Sequence, residues 1–476
     1  MWKNKKVMKQ TSAPLWEKLL QFQQKESIWL HVPAHGGGAG LPDEVKAQFT
    51  AYAQFDVTEL PGLDDLFNPT GVIAEAHALA AQLFGAKRSF FLAGGASAGV
   101  RAMVLATCDP GDIILVPRNA HASLYHALVF SGATPYYLPI AEKNGVPLNV
   151  TAAAVERAFQ RHPNAKALFL TSPSYFGVTA DIEAIAAIVR QHQAYLLVDE
   201  AHGAHFDFSS ALPVSAAKFC NLRVQSWHKT LGALTPGAVL HWQDGDIDEE
   251  RLQQALQGVQ TSSPPYPLLA SLDLTRKKMA LEGSEIAGRM VENAMEVRAA
   301  LKSFFPFLTR LEVQEQGFDL DVTRLTLLTA VAGISGIAAG RYLNAAGINL
   351  ELILPHCLLA LLGPAFQKDW TARLLTTIRQ LQPSAALSPM AVYPALPEVV
   401  IPPRQAAYCR HIEVNIEQAE GAIAAATVVC YPPGIPLLVP GERITPAVCA
   451  YLQAALQQGV QFRGLTASGQ IKVCNI

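Results

Sequence analysis

From about residue 89 the chain alternates short apolar runs with segments whose apolar residues recur every three or four positions. The runs Ser89–Leu92, Ile113–Val116, Thr134–Leu138, Ala167–Thr171 and Tyr195–Val198 read as buried strands, and Val224 and Ala238–His241 fall in two more. Between them, Ala96–Ala106, Ser123–Phe130, Thr151–Arg161 and Asp181–Gln191 carry helical periodicity. Strand–helix alternation of this kind predicts an α/β domain with a mainly parallel sheet covered on both faces. Ligands of such sheets bind beyond the carboxyl ends of the strands, so chemistry is expected in the residues just after each run.

The flanks are less regular. Thr11-Ser12-Ala13-Pro14 reads as a helix start, with Leu15, Leu19 and Leu20 as its apolar stripe. A Gly-rich turn follows at His35–Gly40, then an acidic loop at Phe55–Pro69, then helical periodicity from Gly71 to Phe84. Asp273–Phe304 reads as one or two long helices, Ser384–Arg404 as a Pro-rich connection, and 412–476 as mixed strand and helix. The expected division is an N-terminal helix and arm at 1–70 and a large domain at 71–300. A connecting or small-domain segment at 301–400 and a C-terminal domain at 401–476 complete it.

Composition narrows the function classes. Half of the 476 residues are hydrophobic and 16% are charged, which suits a large core and an apolar subunit interface. The formal net charge is −2 and no basic block stands out, so a nucleic-acid partner is disfavoured. Seven scattered cysteines without a C-x-x-C pair argue against zinc and for reduced thiols in a cytoplasmic protein. The basic N-terminus leads into no apolar stretch, so no signal peptide is expected, and no apolar run reaches the length of a membrane span.

Four constellations carry chemistry. Gly94-Gly95-Ala96-Ser97-Ala98-Gly99 lies between a strand and a helix, where close backbone approach and free N–H groups suit a phosphate. Arg118-Asn119-Ala120-His121-Ala122-Ser123 follows a strand and offers His121 to stack on a flat ring. Asp199-Glu200-Ala201-His202 places an acid at a strand end, where it can protonate a pyridine nitrogen. Ser226-Trp227-His228-Lys229-Thr230 lies thirty residues beyond Asp199 and offers a lysine for an aldehyde, which needs a partly buried, deprotonated amine. Each segment alone has an ordinary structural explanation: a tight turn, a helix cap, a surface lysine. In this order they describe a site for pyridoxal 5′-phosphate (PLP).

These residues resemble the Orn/Lys/Arg decarboxylases of the aspartate-aminotransferase fold, nearly end to end. The matching stretches are Phe55–Glu59, Arg118–His121, Asp199–Phe206, Gln225–Leu231, Tyr431–Pro436 and Pro440-Gly441-Glu442. The likeness is to the short bacterial form, without the extra N-terminal receiver-like domain of the long enzymes. It implies fold type I: a mainly parallel seven-stranded sheet in the PLP-binding large domain, and a smaller α/β C-terminal domain. It also implies a Schiff base at Lys229, Asp199 on the pyridine nitrogen, and Ala201 packed on the ring face opposite His121. His228 lies beside the reacting centre, and His202 joins the cofactor set. Ser226, Ser97 and the amides of Ala96 to Ala98 hold the phosphate. Thr261, Ser262 or Ser263 reach toward a partner subunit's phosphate, since the family builds its sites at a dimer interface. Glu442 is the candidate grip for a distal substrate amine or guanidinium, and its alternative is a structural hydrogen bond. No metal is implied. The implied reaction is decarboxylation of a basic amino acid, arginine or lysine ahead of ornithine, giving a polyamine-type amine.

Departures from the family pattern remove polar groups: Ala122 after the stacking histidine, Pro236, and Ala422 and Ala426 in the C-terminal domain. Two alternatives therefore stay open. One is an aminotransferase or other Cα-lyase, which needs an arginine for the substrate carboxylate, with Arg118 as the candidate. The other is a non-catalytic paralogue that binds PLP or nothing.

Overall fold

The computed structural model describes residues 9–25, 27–304, 309–314, 317–383, 393–430 and 434–475. Seven strands form the main sheet, in the order Arg88–Leu92, Ala238–Trp242, Leu222–Gln225, Tyr195–Asp199, Ala167–Thr171, Ile113–Pro117, Thr134–Leu138. Ile113–Pro117 runs parallel to both neighbours, while Ala238–Trp242 runs antiparallel to both of its own. Every residue of Ala167–Thr171 and of Ala238–Trp242 is buried, as strands covered on both faces must be. The helices between strands follow local signals. Asp181 caps Ile182–Gln191, and Thr151 caps Ala152–Arg161, each by accepting a backbone N–H. Their buried residues, Ile182, Ile185, Ala186 and Val189 in one and Val155, Ala158 and Phe159 in the other, keep the helical period.

The chain divides into two compact units. One comprises residues 1–106, 199–209 and 215–287, the other 107–198, 210–214 and 288–476. In the first, helix Pro14–Gln23 is fastened by two buried residues of the long helix Tyr266–Phe304. Asp273 accepts the Leu15 N–H at 3.0 Å, and Arg276 donates to the Gln10 carbonyl at 2.8 Å. That long helix starts seven residues before the expected Asp273, because Pro267 occupies its second position, where no helical N–H is required.

The loop Phe55–Pro69 is ordered by one carboxylate. Asp64 accepts N–H groups from Thr70, Gly71, Ile73 and Ala74, which caps helix Val72–Leu83. Burial pushes its carboxyl up, but the N–H groups of Thr70, Gly71, Asp65 and Ala74 together hold it below its ordinary value. A depressed folded pKa stabilises above the unfolded pKa, and that stabilisation disappears as pH falls through the folded pKa. Asp64→Ala is therefore expected to lower stability by about 1–2 kcal/mol at neutral pH. The gap to the wild type should close in denaturation curves taken below the ordinary carboxylate range.

In the second unit, four antiparallel strands, Thr309–Arg310, Arg324–Leu328, Leu358–Leu361 and Leu352–Ile353, form a second sheet. Helices Gly336–Ala345 and Lys368–Ile378 contribute Leu343, Leu374 and Ile378 to its core. The C-terminal segment pairs His411–Val414 with Ile471–Cys474 and packs helix Pro446–Gln457 over Val428, Leu438 and Ile444. Of the Pro-rich connection, 384–392 lie outside the described residues, as do Tyr431, Pro432 and Pro433 of the Tyr431–Pro436 stretch. Among the described residues, no helix is long and apolar enough to cross a membrane.

Candidate active site

The first unit collects most of the expected site at the ends of two strands. Tyr195–Asp199 delivers Asp199, and Leu222–Gln225 runs into Ser226 and a one-turn helix, Trp227–Thr230. Within that turn Trp227 and Thr230 face inward and are buried, so His228 is half-buried and Lys229 exposed. The partly buried lysine expected from the sequence is thus corrected: when the first and fourth residues of a single helical turn face the core, the two between them cannot also do so. Lys229 Nζ lies 3.1 Å from Nε2 of His202, which is buried.

Asp199 is buried, and its Oδ1 accepts the Ala201 N–H at 3.1 Å. Burial pushes its carboxyl above the ordinary value, against the opposing pull of Lys229 and of the Ala201 N–H. A cationic N–H partner would favour the ionised form. Burial lowers the His228 pKa, and Lys229 lowers it further against the Gly237 carbonyl. Nδ1 lies 2.9 Å from that carbonyl, which can only accept, so neutral His228 carries its proton on Nδ1 and keeps a lone pair on Nε2.

The Gly-rich turn opens helix Gly95–Thr107. Gly95 has φ +71°, and a Cβ on Gly99 would stand 2.6 Å from Val224 and 2.8 Å from Leu92. Gly99 therefore lets this helix lie on the strand that ends immediately before Ser226. The amides of Ala96, Ser97 and Ala98 belong to the first turn, whose N–H groups have no helical acceptor. Ser226 Oγ and Thr230 Oγ1 are buried without a hydrogen-bond partner among the described residues. A buried hydroxyl left unmatched costs about 1–3 kcal/mol, and a phosphate group supplies the missing acceptor. These residues therefore fit PLP. Thr230 received no role from the sequence, because a threonine next to a histidine and a lysine carries no distinct signal of its own.

His121, Arg118 and Glu442 belong to the second unit. His121 caps helix Ala122–Ser131, accepting the Ser123 N–H at its Nδ1 at 3.2 Å. Arg118 and Glu442 meet in a buried two-pronged ion pair of 2.7 and 2.8 Å. Arg118 also donates to the Leu437 carbonyl, and Glu442 accepts the Val439 N–H. Burial works against the Arg118 charge, but the facing carboxylate outweighs it and holds the guanidinium protonated. Thr261, Ser262 and Ser263 form an exposed turn.

Fold and site together define a PLP-dependent enzyme of fold type I. Two family models match the chain: "Orn/Lys/Arg decarboxylase, major domain" over residues 13–320 and "Orn/Lys/Arg decarboxylase, C-terminal domain" over residues 387–470. The chain belongs to the Orn/Lys/Arg decarboxylase family, and is an amino-acid decarboxylase by that membership. It is 32% identical to an arginine decarboxylase of Bacillus subtilis over 471 residues, 96% of each chain. It is 25% identical to a lysine decarboxylase of Pseudomonas aeruginosa, over 92% of this chain and 75% of that one. The crystal structure of a Francisella novicida lysine decarboxylase superposes with a TM-score of 0.86 at 19% identity, covering 97% of this chain and 81% of that one.

Proposed function

We propose that this enzyme removes the α-carboxylate of a basic amino acid, arginine or lysine ahead of ornithine, releasing CO2 and the corresponding amine. The carrying observation is the buried Asp199 within reach of the Lys229 charge, with the buried Ser226 and Thr230 hydroxyls unmatched among the described residues. The near full-length likeness to an arginine decarboxylase orders the substrates.

PLP, when bound, supplies an electron-withdrawing ring that stabilises the electron pair left behind by CO2. Lys229 would hold the cofactor aldehyde, and Asp199 would accept a hydrogen bond from the ring nitrogen and keep it protonated. Ala201 would pack against the ring, His202 orients the Lys229 amine through their contact, and His121 is a candidate ring-stacking residue on the family resemblance alone. Ser226 and the first-turn amides of Ala96, Ser97 and Ala98 bind phosphate. His228, neutral and with Nε2 available, exchanges a proton at the reacting carbon. Glu442 is engaged with Arg118, and this supports a structural role for it over a substrate grip. The same pairing leaves Arg118 unsuited to clamp a substrate carboxylate, so the decarboxylase reading is favoured over an aminotransferase.

The domain limits read from the sequence, a cytoplasmic location and a dimer with shared sites are part of the same proposal. Exposed Ile28, Leu30 and Val32 in the N-terminal arm suit such an interface. The test is a product screen of the PLP-loaded protein. Arginine or lysine should yield CO2 and the matching amine. Conversion of the cofactor to its amine form without CO2 would instead support an aminotransferase.

A further inference from the structure

Gln225, the last residue of its strand, is fully buried and its side-chain amide is saturated. Nε2 donates to Glu200 Oε2 at 2.7 Å and to Asp207 Oδ2 at 3.3 Å. Oε1 accepts from Trp227 Nε1 at 3.1 Å and from His241 Nε2 at 3.2 Å. Carboxylates only accept and an indole only donates, so these partners fix which way the amide points. His241 must then donate from Nε2, leaving its Nδ1 to accept from Ser89 Oγ at 2.7 Å. Burial, with Arg223 adding to it, keeps that imidazole neutral.

Both ends of this amide lead to the site. Glu200 follows Asp199 directly, and its N–H donates to the Val224 carbonyl at 2.9 Å. Its carboxylate also takes Arg223 at 2.7 Å and the Ala216 N–H at 2.8 Å. Arg223 reaches Asp207 and Ser215 as well. Trp227 opens the turn that carries Lys229, and its ring stacks on Phe84 at 5.0 Å. Gln225 thus touches both the neighbour of the acid and the turn of the amine.

We propose that Gln225 is a positioning residue, which joins Glu200 to Trp227 and thereby fixes the spacing between Asp199 and Lys229. This rests on the assignment of those two residues to PLP. A purely structural amide would affect stability alone, whereas a positioning amide sets the environment of the cofactor as well.

The experiment uses the PLP-loaded full chain and two variants. Gln225→Met removes every hydrogen bond of the amide at similar length. Trp227→Phe removes the indole N–H, together with some buried ring volume, and keeps an aromatic ring on Phe84, so one variant remains informative if the other folds poorly. The readouts are the pH midpoint of the visible absorbance of bound PLP, and kcat and KM for the best basic amino acid. Both variants should shift the midpoint in the same direction and lower kcat by about 3- to 10-fold, the worth of one typical hydrogen bond, with KM little changed. The double variant should do no worse than the weaker single one, because both cut the same link. Lower melting temperatures with unchanged midpoint and kcat would overturn the proposal. Lack of visible absorbance in the wild type would instead sink the PLP assignment beneath it.

Discussion

Glu442→Ala is expected to destabilise this chain by about 3–5 kcal/mol. Arg118 would be left as a charge in a buried pocket, with its guanidinium over the rings of Tyr125 and Tyr137 and, among the described residues, only the Leu437 carbonyl to meet it. Water cannot repay that loss, and the arginine cannot shed its proton. The penalty therefore reflects the stranded partner more than the attraction that was lost. Two controls separate these effects. Glu442→Gln keeps an acceptor for one prong and should fall between alanine and wild type. Arg118→Met with Glu442→Leu replaces the pair by apolar volume and should recover most of the loss. Denaturant titration of the four proteins orders them. An alanine variant as stable as wild type, but with a raised KM for arginine or lysine, would return Glu442 to the substrate.

Lys229→Ala is expected to abolish decarboxylation to within background. A positioned proton-transfer group alone contributes about 10²- to 10⁴-fold, and this lysine is also the residue proposed to hold the cofactor. The fold should tolerate the change, because Lys229 is exposed and the buried members of its turn, Trp227 and Thr230, remain. An unchanged melting temperature together with lost turnover and lost visible absorbance is the expected pattern. Stopped-assay detection of amine product, alongside a spectrum of the PLP-treated variant, checks it.

What the sequence exposes and what it hides follow different physics. The central strands are continuous apolar runs bounded by Gly, Pro or Asp, and most of their limits fall within a residue of those expected. The same holds for helices with a side-chain cap, such as Asp181. The second sheet escaped because its strands are two to five residues long, and Arg324–Leu328 is buried throughout, so no alternation marks it. The start of Tyr266–Phe304 escaped because Pro267 reads as a breaker although it sits where a proline is harmless. In the site, Lys229, His228 and Asp199 announce themselves by chemistry and spacing. Gln225 and Thr230 do not, because a glutamine or threonine becomes informative only through its partners. Glu442 shows the converse: a suggestive motif whose carboxylate is taken up by Arg118, 324 residues away in sequence.

Lys229 is the residue proposed to carry PLP. The most direct test is borohydride reduction of the PLP-treated protein, which makes the lysine–cofactor bond permanent, followed by peptide mass spectrometry. One modified peptide is expected, containing Ser226 to Thr230 with the cofactor on Lys229, and none in Lys229→Ala. Modification at a different lysine, or at none, would contradict it.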